Sequence, residues 1–410
     1  MPPEMRAEPL SLYLHIPFCT LKCSYCDFNS YAGLEGLVRP YVDALAAEMR
    51  LWGEAVRGRP VATVFFGGGT PSLLSIPQLE RLFAAMRQHF QMEAGAEVSL
   101  EANPGTVDRG YLRELLALGV NRLSLGVQSF HDDELVALDR IHSAEEAKQA
   151  YRWAREAGFQ RVNLDLIYGL PEQPLERWRA TLEEAVSLAP DHLSLYALTV
   201  EEGTKLAYDI DHGRVPAPDA DAQAEMYEWS CERLAASGYR QYEISNWAQP
   251  ALSDAEGPRQ ECRHNLTYWR NGEWLGLGAG AHSHFGGFRF ADVYSPKQYL
   301  RCVEETVAAG VPAVEDTRSL LRAMRQVTYQ EEQTADTAMA DTAILALRLN
   351  EGLSLEEFRA RFGRELGEVY GDTLAEMSSA GLIERRDGRL LLTARGRLLA
   401  NEVFVRLLPD

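Results

Sequence analysis

Between about residue 10 and residue 200, six short apolar runs alternate with segments of helical period, and this rhythm limits the chain to very few architectures. The runs are LSLYLHI, VATVFFG, AEVSLEA, NRLSLGVQ, RVNLDLIYG and DHLSLYAL. Between them lie YVDALAAEMRLW, IPQLERLFAAMRQHF, DRGYLRELLALG, SAEEAKQAYRWAREAG and LERWRATLEEAVSLA, with apolar residues three or four apart. Several of these helical segments end in Gly, the residue that takes a left-handed C-cap at least cost. Such alternation predicts an α/β fold with a parallel sheet, curled into a partial β/α barrel of about six strand–helix units. An open doubly wound sheet is the competing arrangement.

Three domains are expected: a barrel core over 1–205, an extension over 206–328, and a C-terminal domain over 329–410. A helix over about 219–237 marks the change of rhythm. The end of the chain, AGLIERRDGRLLLTARGRLLANEVF, reads as helix, two short strands joined by Asp-Gly, and helix. That order predicts a mostly helical, winged-helix-like domain.

Composition narrows the partners. Of 410 residues, 41 are Lys or Arg and 60 are Asp or Glu, a net charge of −19. Nucleic acid and anionic membrane surfaces would repel such a chain, so no nucleic-acid partner is expected. The opening MPPEMRAEPL has no apolar core of a leader peptide, and no later run is long enough to span a bilayer, which reads as a cytoplasmic protein.

Directly after the first strand-like run come Cys19, Cys23 and Cys26, spaced C-x3-C-x2-C. Clustered thiols in a reducing compartment hold metal more often than they form disulfides. Three thiolates complete neither a tetrahedral zinc site nor a four-iron cluster. Zinc could recruit His15 as a fourth ligand. The other reading is an iron–sulfur cluster with one iron left open, as catalytic metals keep a position open. After the second run, Gly67, Gly68 and Gly69 in FFGGGTP let a polar ligand approach the backbone. Glu101, Gln128 and Asp165 then stand in or at the ends of successive strands, Asp165 inside an otherwise apolar one, where a carboxylate is costly unless it meets a polar partner. These positions converge on the mouth of a barrel.

The cysteine spacing with Tyr25 before its last member, followed by GGGTP, resembles the radical S-adenosylmethionine (SAM) superfamily. The stretches LYLHIPFCTLKCSYCDF, GVNRLSLGVQSF and NLDLIYGLP are similar to the oxygen-independent coproporphyrinogen III oxidase family over most of the chain. The resemblance implies a [4Fe–4S] cluster on Cys19, Cys23 and Cys26, with SAM on the open iron. It places Tyr13, Gly68 and Glu101 against that SAM, and Tyr25, Gly69, Thr70, Gln128, Arg140 and Asp165 around SAM at one site or two. In the oxidases a fourth cysteine follows, C-x3-C-x2-C-x-C, where this chain has Phe28. That departure counts against decarboxylation of coproporphyrinogen III, which stays as the alternative. A second branch, the HemW-type haem chaperones, has the Phe-type pattern and an H-N-x-x-Y-W motif, here His264 to Trp269.

The motif has the chemistry of a haem site. His264 offers an imidazole for iron, Tyr268 and Trp269 flat faces for a porphyrin, and Arg263 and Arg270 guanidinium groups for propionates. Cys262 is a second candidate ligand. The resemblance therefore implies haem as cargo, passed to acceptor haemoproteins, with membrane respiratory enzymes among the candidates and a homodimer as a candidate assembly.

Overall fold

The computed structural model describes residues 9–250, 260–311 and 316–409. The opening residues read above as lacking a leader fall, up to residue 8, outside the described residues. Contacts divide the chain into two compact units: residues 1–230 with 273–331, and residues 231–272 with 332–410. The segment 206–328 anticipated from sequence is thus shared between the two.

In the first unit the strands β1 (Leu10–Ile16), β2 (Pro60–Gly68), β3 (Gln91–Ala102), β4 (Arg122–Gln128), β5 (Val162–Tyr168) and β6 (His192–Ala197) lie side by side in chain order, each parallel to the next. The helices α1 (Val38–Ala55), α2 (Ile76–His89), α3 (Arg109–Leu118), α4 (Asp132–Ala137), α5 (Ala144–Ala157) and α6 (Leu175–Ser187) connect or follow them. The far edge of β1 pairs with the strand Trp274–Leu277, and the sheet continues through His282–Phe285, Phe288–Asp292 and Val327–Glu332. Because β1 is paired there and not with β6, the sheet curls without closing, which bears out the partial barrel.

Local chemistry explains these elements. On α1, Tyr41, Val42, Leu45, Met49 and Trp52 repeat three or four residues apart and are all buried, the stripe a helix lays against a sheet. Asp108 and Ser143 cap α3 and α5 by accepting from Tyr111 N and Glu146 N. Gly119 and Gly158 end the same helices at φ 113° and 107°, conformations that a side chain would strain. In β5 every residue is buried except Asp165, which is partly exposed.

The second unit packs Met339, Leu347, Phe358, Leu374, Met377, Ile383, Leu390 and Val403 into one core. Strands Ile383–Arg386 and Arg389–Leu392 form an antiparallel hairpin. Its turn is Asp387-Gly388, both at positive φ (49° and 74°), as the tight hairpin turn requires. Helices before and after the hairpin complete the winged-helix-like arrangement read from the sequence. Among the described residues no helix is long and apolar enough to cross a membrane.

Candidate functional site

The end of β1 runs straight into the cysteine loop, and the loop is pinned on both sides. Cys19 N donates to Tyr31 O (3.0 Å) and Tyr31 N to Pro17 O (2.8 Å), while Gly69 N and Thr70 N donate to Ile16 O and Phe18 O (both 2.8 Å). The glycine turn after β2 therefore continues the sheet pairing up to the first cysteine. Gly68 has φ 111°, and a Cβ there would lie 2.5 Å from the His15 ring. Only glycine fits such an approach.

Cys19, Cys23, Tyr25, Cys26, Gly68, Gly69, Thr70, Glu101, Gln128, Arg140 and Asp165 line one cavity of about 460 Å³. The structure thus gathers nearly every residue singled out in the barrel half of the chain. Tyr13 stands behind the wall: its hydroxyl donates to His15 Nδ1 (2.9 Å), and its ring approaches Gly67.

The three thiols line the same cavity. Among the described residues no group of three or more His, Cys, Asp or Glu side chains surrounds a single ion position. His15 is no spare ligand either. Its Nε2 donates to Asn29 O (2.8 Å) and its Nδ1 accepts from Tyr13, so both nitrogens are occupied. Burial holds its pKa below the usual value, which suits this neutral tautomer. With both ring nitrogens engaged, His15 is not available as a fourth zinc ligand beside Cys19, Cys23 and Cys26.

The floor is polar, built from Glu101, Asp165, Arg140 and Gln128. Glu101 Oε2 accepts from Gly68 N (3.2 Å). Burial, helped by nearby Asp165 and opposed by the Gly68 N–H, pushes the Glu101 carboxyl up to about 8. Asp165 accepts from Ser124 Oγ and Asn163 Nδ2, both at 2.8 Å, yet burial keeps its pKa above the ordinary range. Arg140 donates to Gly126 O (2.8 Å) and reaches Cys23 Sγ at 3.5 Å, while its buried Nε has no hydrogen-bond partner among the described residues. Gln128 ends β4 at φ 70°, unusual for a residue with a side chain, and its amide nitrogen lies near Gly126. Burial also raises the pKa of Tyr25 and of Cys26. The arrangement offers a cationic or zwitterionic ligand two carboxyls, a guanidinium and exposed backbone beside three thiols.

Sequence reasoning singled out Phe28 only as standing where a cysteine is expected, and missed Leu21, Ile141 and Tyr196, which line the cavity with it. The one signal was Tyr196, a large aromatic out of phase with the buried Leu193 and Leu195.

The second motif lies in the other compact unit. Helix Arg263–Trp269 buries His264, whose Nε2 bonds Tyr268 Oη at 2.8 Å with the rings edge to face. Burial lowers the His264 pKa to about 3, so the imidazole is neutral. Trp269 packs on the cluster of Tyr242, Ala248, Leu266 and Leu349, with the Arg348 guanidinium 4.4 Å from its ring centre. Cys262 is buried, and Arg270 pairs with Glu351 (3.0 Å).

Residues 13–185 match the family model of the radical SAM superfamily, and residues 333–399 that of the HemN C-terminal domain. The protein named heme chaperone HemW from Mycobacterium tuberculosis is 40% identical over 407 residues, 98% of this chain and 96% of the relative. The chain belongs to the HemW family of radical SAM proteins. HemW from Bacillus subtilis is 37% identical over 396 residues, covering 96% of this chain and 98% of that one. A solved structure described as coproporphyrinogen III oxidase (HemN) from Escherichia coli, a radical SAM enzyme, aligns with a TM-score of 0.81 at 27% identity, over 97% of this chain and 90% of the other.

Proposed function

We propose that this protein binds haem and hands it to acceptor haemoproteins, using a radical SAM scaffold that carries a [4Fe–4S] cluster and SAM. The observation that carries this reading is the full-length similarity to curated relatives named heme chaperone HemW. It is joined by Phe28, 61% exposed beside the cysteine loop, at the place where the oxidases have a cysteine.

Cys19, Cys23 and Cys26 would hold the cluster, with Gly69 leaving room beside Cys19. When bound, the cluster supplies an electron to SAM. Gly68 N–H, Glu101 and Tyr13 would hold SAM, Tyr13 acting through His15 on the glycine turn. Arg140, Asp165, Gln128, Tyr25 and Thr70 would complete the cavity by receiving charged or polar groups. His264 is the proposed haem ligand, with Tyr268 and Trp269 beside it. Because Nε2 is bonded to Tyr268, ligation there requires that bond to open. We place the protein in the cytoplasm and leave a homodimer and membrane-bound acceptors within the proposal.

The match to HemN favours a second reading, oxidative decarboxylation of coproporphyrinogen III. One anaerobic experiment separates the two. Cluster-loaded protein is given SAM, a reductant and coproporphyrinogen III, and separately haem. Stoichiometric haem binding without protoporphyrinogen formation is the expected result, and catalytic turnover would overturn it.

A further inference from the structure

The turn over 278–281 lies outside the six parallel strands, yet it holds the cysteine loop. It leads out of the strand Trp274–Leu277, which pairs with β1. Its backbone is fixed from the buried side: Gly278 N donates to Glu48 Oε2 (2.9 Å) and Ala279 N to Tyr41 Oη (2.8 Å). Tyr41 Oη in turn donates to His15 O (2.8 Å), so the turn and the end of β1 share one frame.

Asn29, just past the last cysteine of the loop, reaches this frame through its side chain and its carbonyl. Its Nδ2 donates to Ala279 O (2.8 Å) and Tyr294 O (3.0 Å), and its Oδ1 accepts from Tyr31 Oη (2.8 Å). Its backbone O accepts from His15 Nε2 (2.8 Å). Gly280, at φ 75°, leaves the room: a Cβ there would collide with the Asn29 amide. The His15 ring carries the connection inward. It stands against Gly68, where a Cβ would lie 2.5 Å from it, and Gly68 N donates to Glu101. Asn29 itself does not line the cavity. Residues that bind a ligand stay in place only if such a supporting set of bonds locks them.

We propose that Asn29 is a positioning residue for SAM: it ties the cysteine loop to the turn over 278–281 and, through His15, sets the Gly68 turn against the loop. This rests on the reading that the cavity holds a cluster and SAM.

Two variants disturb the same amide from opposite sides. Asn29→Asp keeps the size and the acceptor for Tyr31 but sets a carboxylate against two carbonyl oxygens. Gly280→Ala crowds the amide from a residue outside the cavity lining. Gly287→Ala is the control: its φ of 79° brings similar backbone strain, with nothing within 4 Å of the new Cβ. Each protein is reconstituted anaerobically, its iron and sulfide are counted, and the reduced cluster is titrated with SAM while its electron paramagnetic resonance signal is followed. Asn29→Asp and Gly280→Ala are expected to carry wild-type iron and sulfide but to need at least about tenfold more SAM to change the signal. The double variant should be no worse than Asn29→Asp, since both changes remove one contact, and Gly287→Ala should titrate as wild type. A wild-type titration in Asn29→Asp, or fully additive effects in the double variant, overturns the proposal. Loss of iron from Asn29→Asp would make the residue a folding contact of the loop and overturns it as well. A wild-type protein that loads no cluster, or whose cluster signal ignores SAM, overturns the radical SAM reading itself.

Discussion

Gly69 lies so close against Cys19 that a Cβ on the glycine would stand 3.0 Å from the cysteine Sγ and 2.6 Å from the Phe18 carbonyl oxygen. The second contact is with backbone and cannot be relieved by turning a side chain. Gly69→Ala must push the cysteine loop off the glycine turn, a local cost of about 1–3 kcal/mol. The variant should fold, with its circular dichroism unchanged, yet retain much less iron and sulfide after reconstitution. Full cluster content in Gly69→Ala would separate the glycine turn from the cluster.

Glu101 faces the same turn with a carboxyl pushed up to about 8 by burial and by Asp165. Below that pH it is neutral and a weak partner for a sulfonium ligand; above it, it is a buried anion. SAM affinity should therefore rise as pH goes from about 6.5 to 8.5, with proton release on binding. Glu101→Gln should flatten this dependence and weaken binding about tenfold at the high-pH end. Calorimetry in buffers of different ionisation enthalpy reads both effects. A wild-type pH profile in the variant would remove Glu101 from the ligand.

Much of this site is legible in the order of residues alone. The strand-like runs fall within a residue or so of β1, β2, β4, β5 and β6, because strands buried on both faces are nearly continuous apolar stretches; β3 starts five residues before its run, at Gln91, where the strand is exposed or half-buried. Polar residues that break such stretches, Glu101 and Asp165 above all, then have few places to point except the cavity. The cavity's apolar lining is different. Leu21, Phe28 and Ile141 look like core residues one at a time, and their exposure depends on how three distant segments meet. The two-unit division is hidden for the same reason, since residues 231–272 join 332–410 by contacts far apart in the chain. His264 shows both sides: the donor atom is plain in HNLTYW, and Tyr268 four residues on shares its helix face, but only the packed structure shows the two bonded.

That bond sets a direction for haem binding. With His264 Nε2 held by Tyr268 Oη at 2.8 Å, a ligand must compete with a hydrogen bond whose net worth is about 1 kcal/mol. Tyr268→Phe keeps the ring and removes the competitor, so ferric haem affinity should rise about fivefold, a factor equal to that energy. His264→Ala should abolish the imidazole-ligated Soret band. Weaker binding in Tyr268→Phe would instead make the tyrosine hydroxyl part of the haem contact.

Away from the cavity, Asp292 lies buried beside Glu48, whose Oε2 accepts from Tyr299 Oη (2.6 Å) and Gly278 N (2.9 Å) and whose Oε1 accepts from Gln326 (3.2 Å). Burial first, and then the Glu48 charge, hold the Asp292 pKa well above the usual carboxylate value. A raised folded-state pKa means that Asp292 stabilises the fold while protonated. That contribution is complete below about pH 4, where the unfolded chain also holds its proton, and it declines as pH climbs toward the folded value. In Asp292→Asn the amide can donate to Glu48 permanently. The stability of the variant relative to wild type should therefore grow with pH, by up to about 1.4 kcal/mol per unit. Urea melts at pH 5 and pH 8 give the difference directly, and parallel profiles for the two proteins would mean that Asp292 is ionised in the fold.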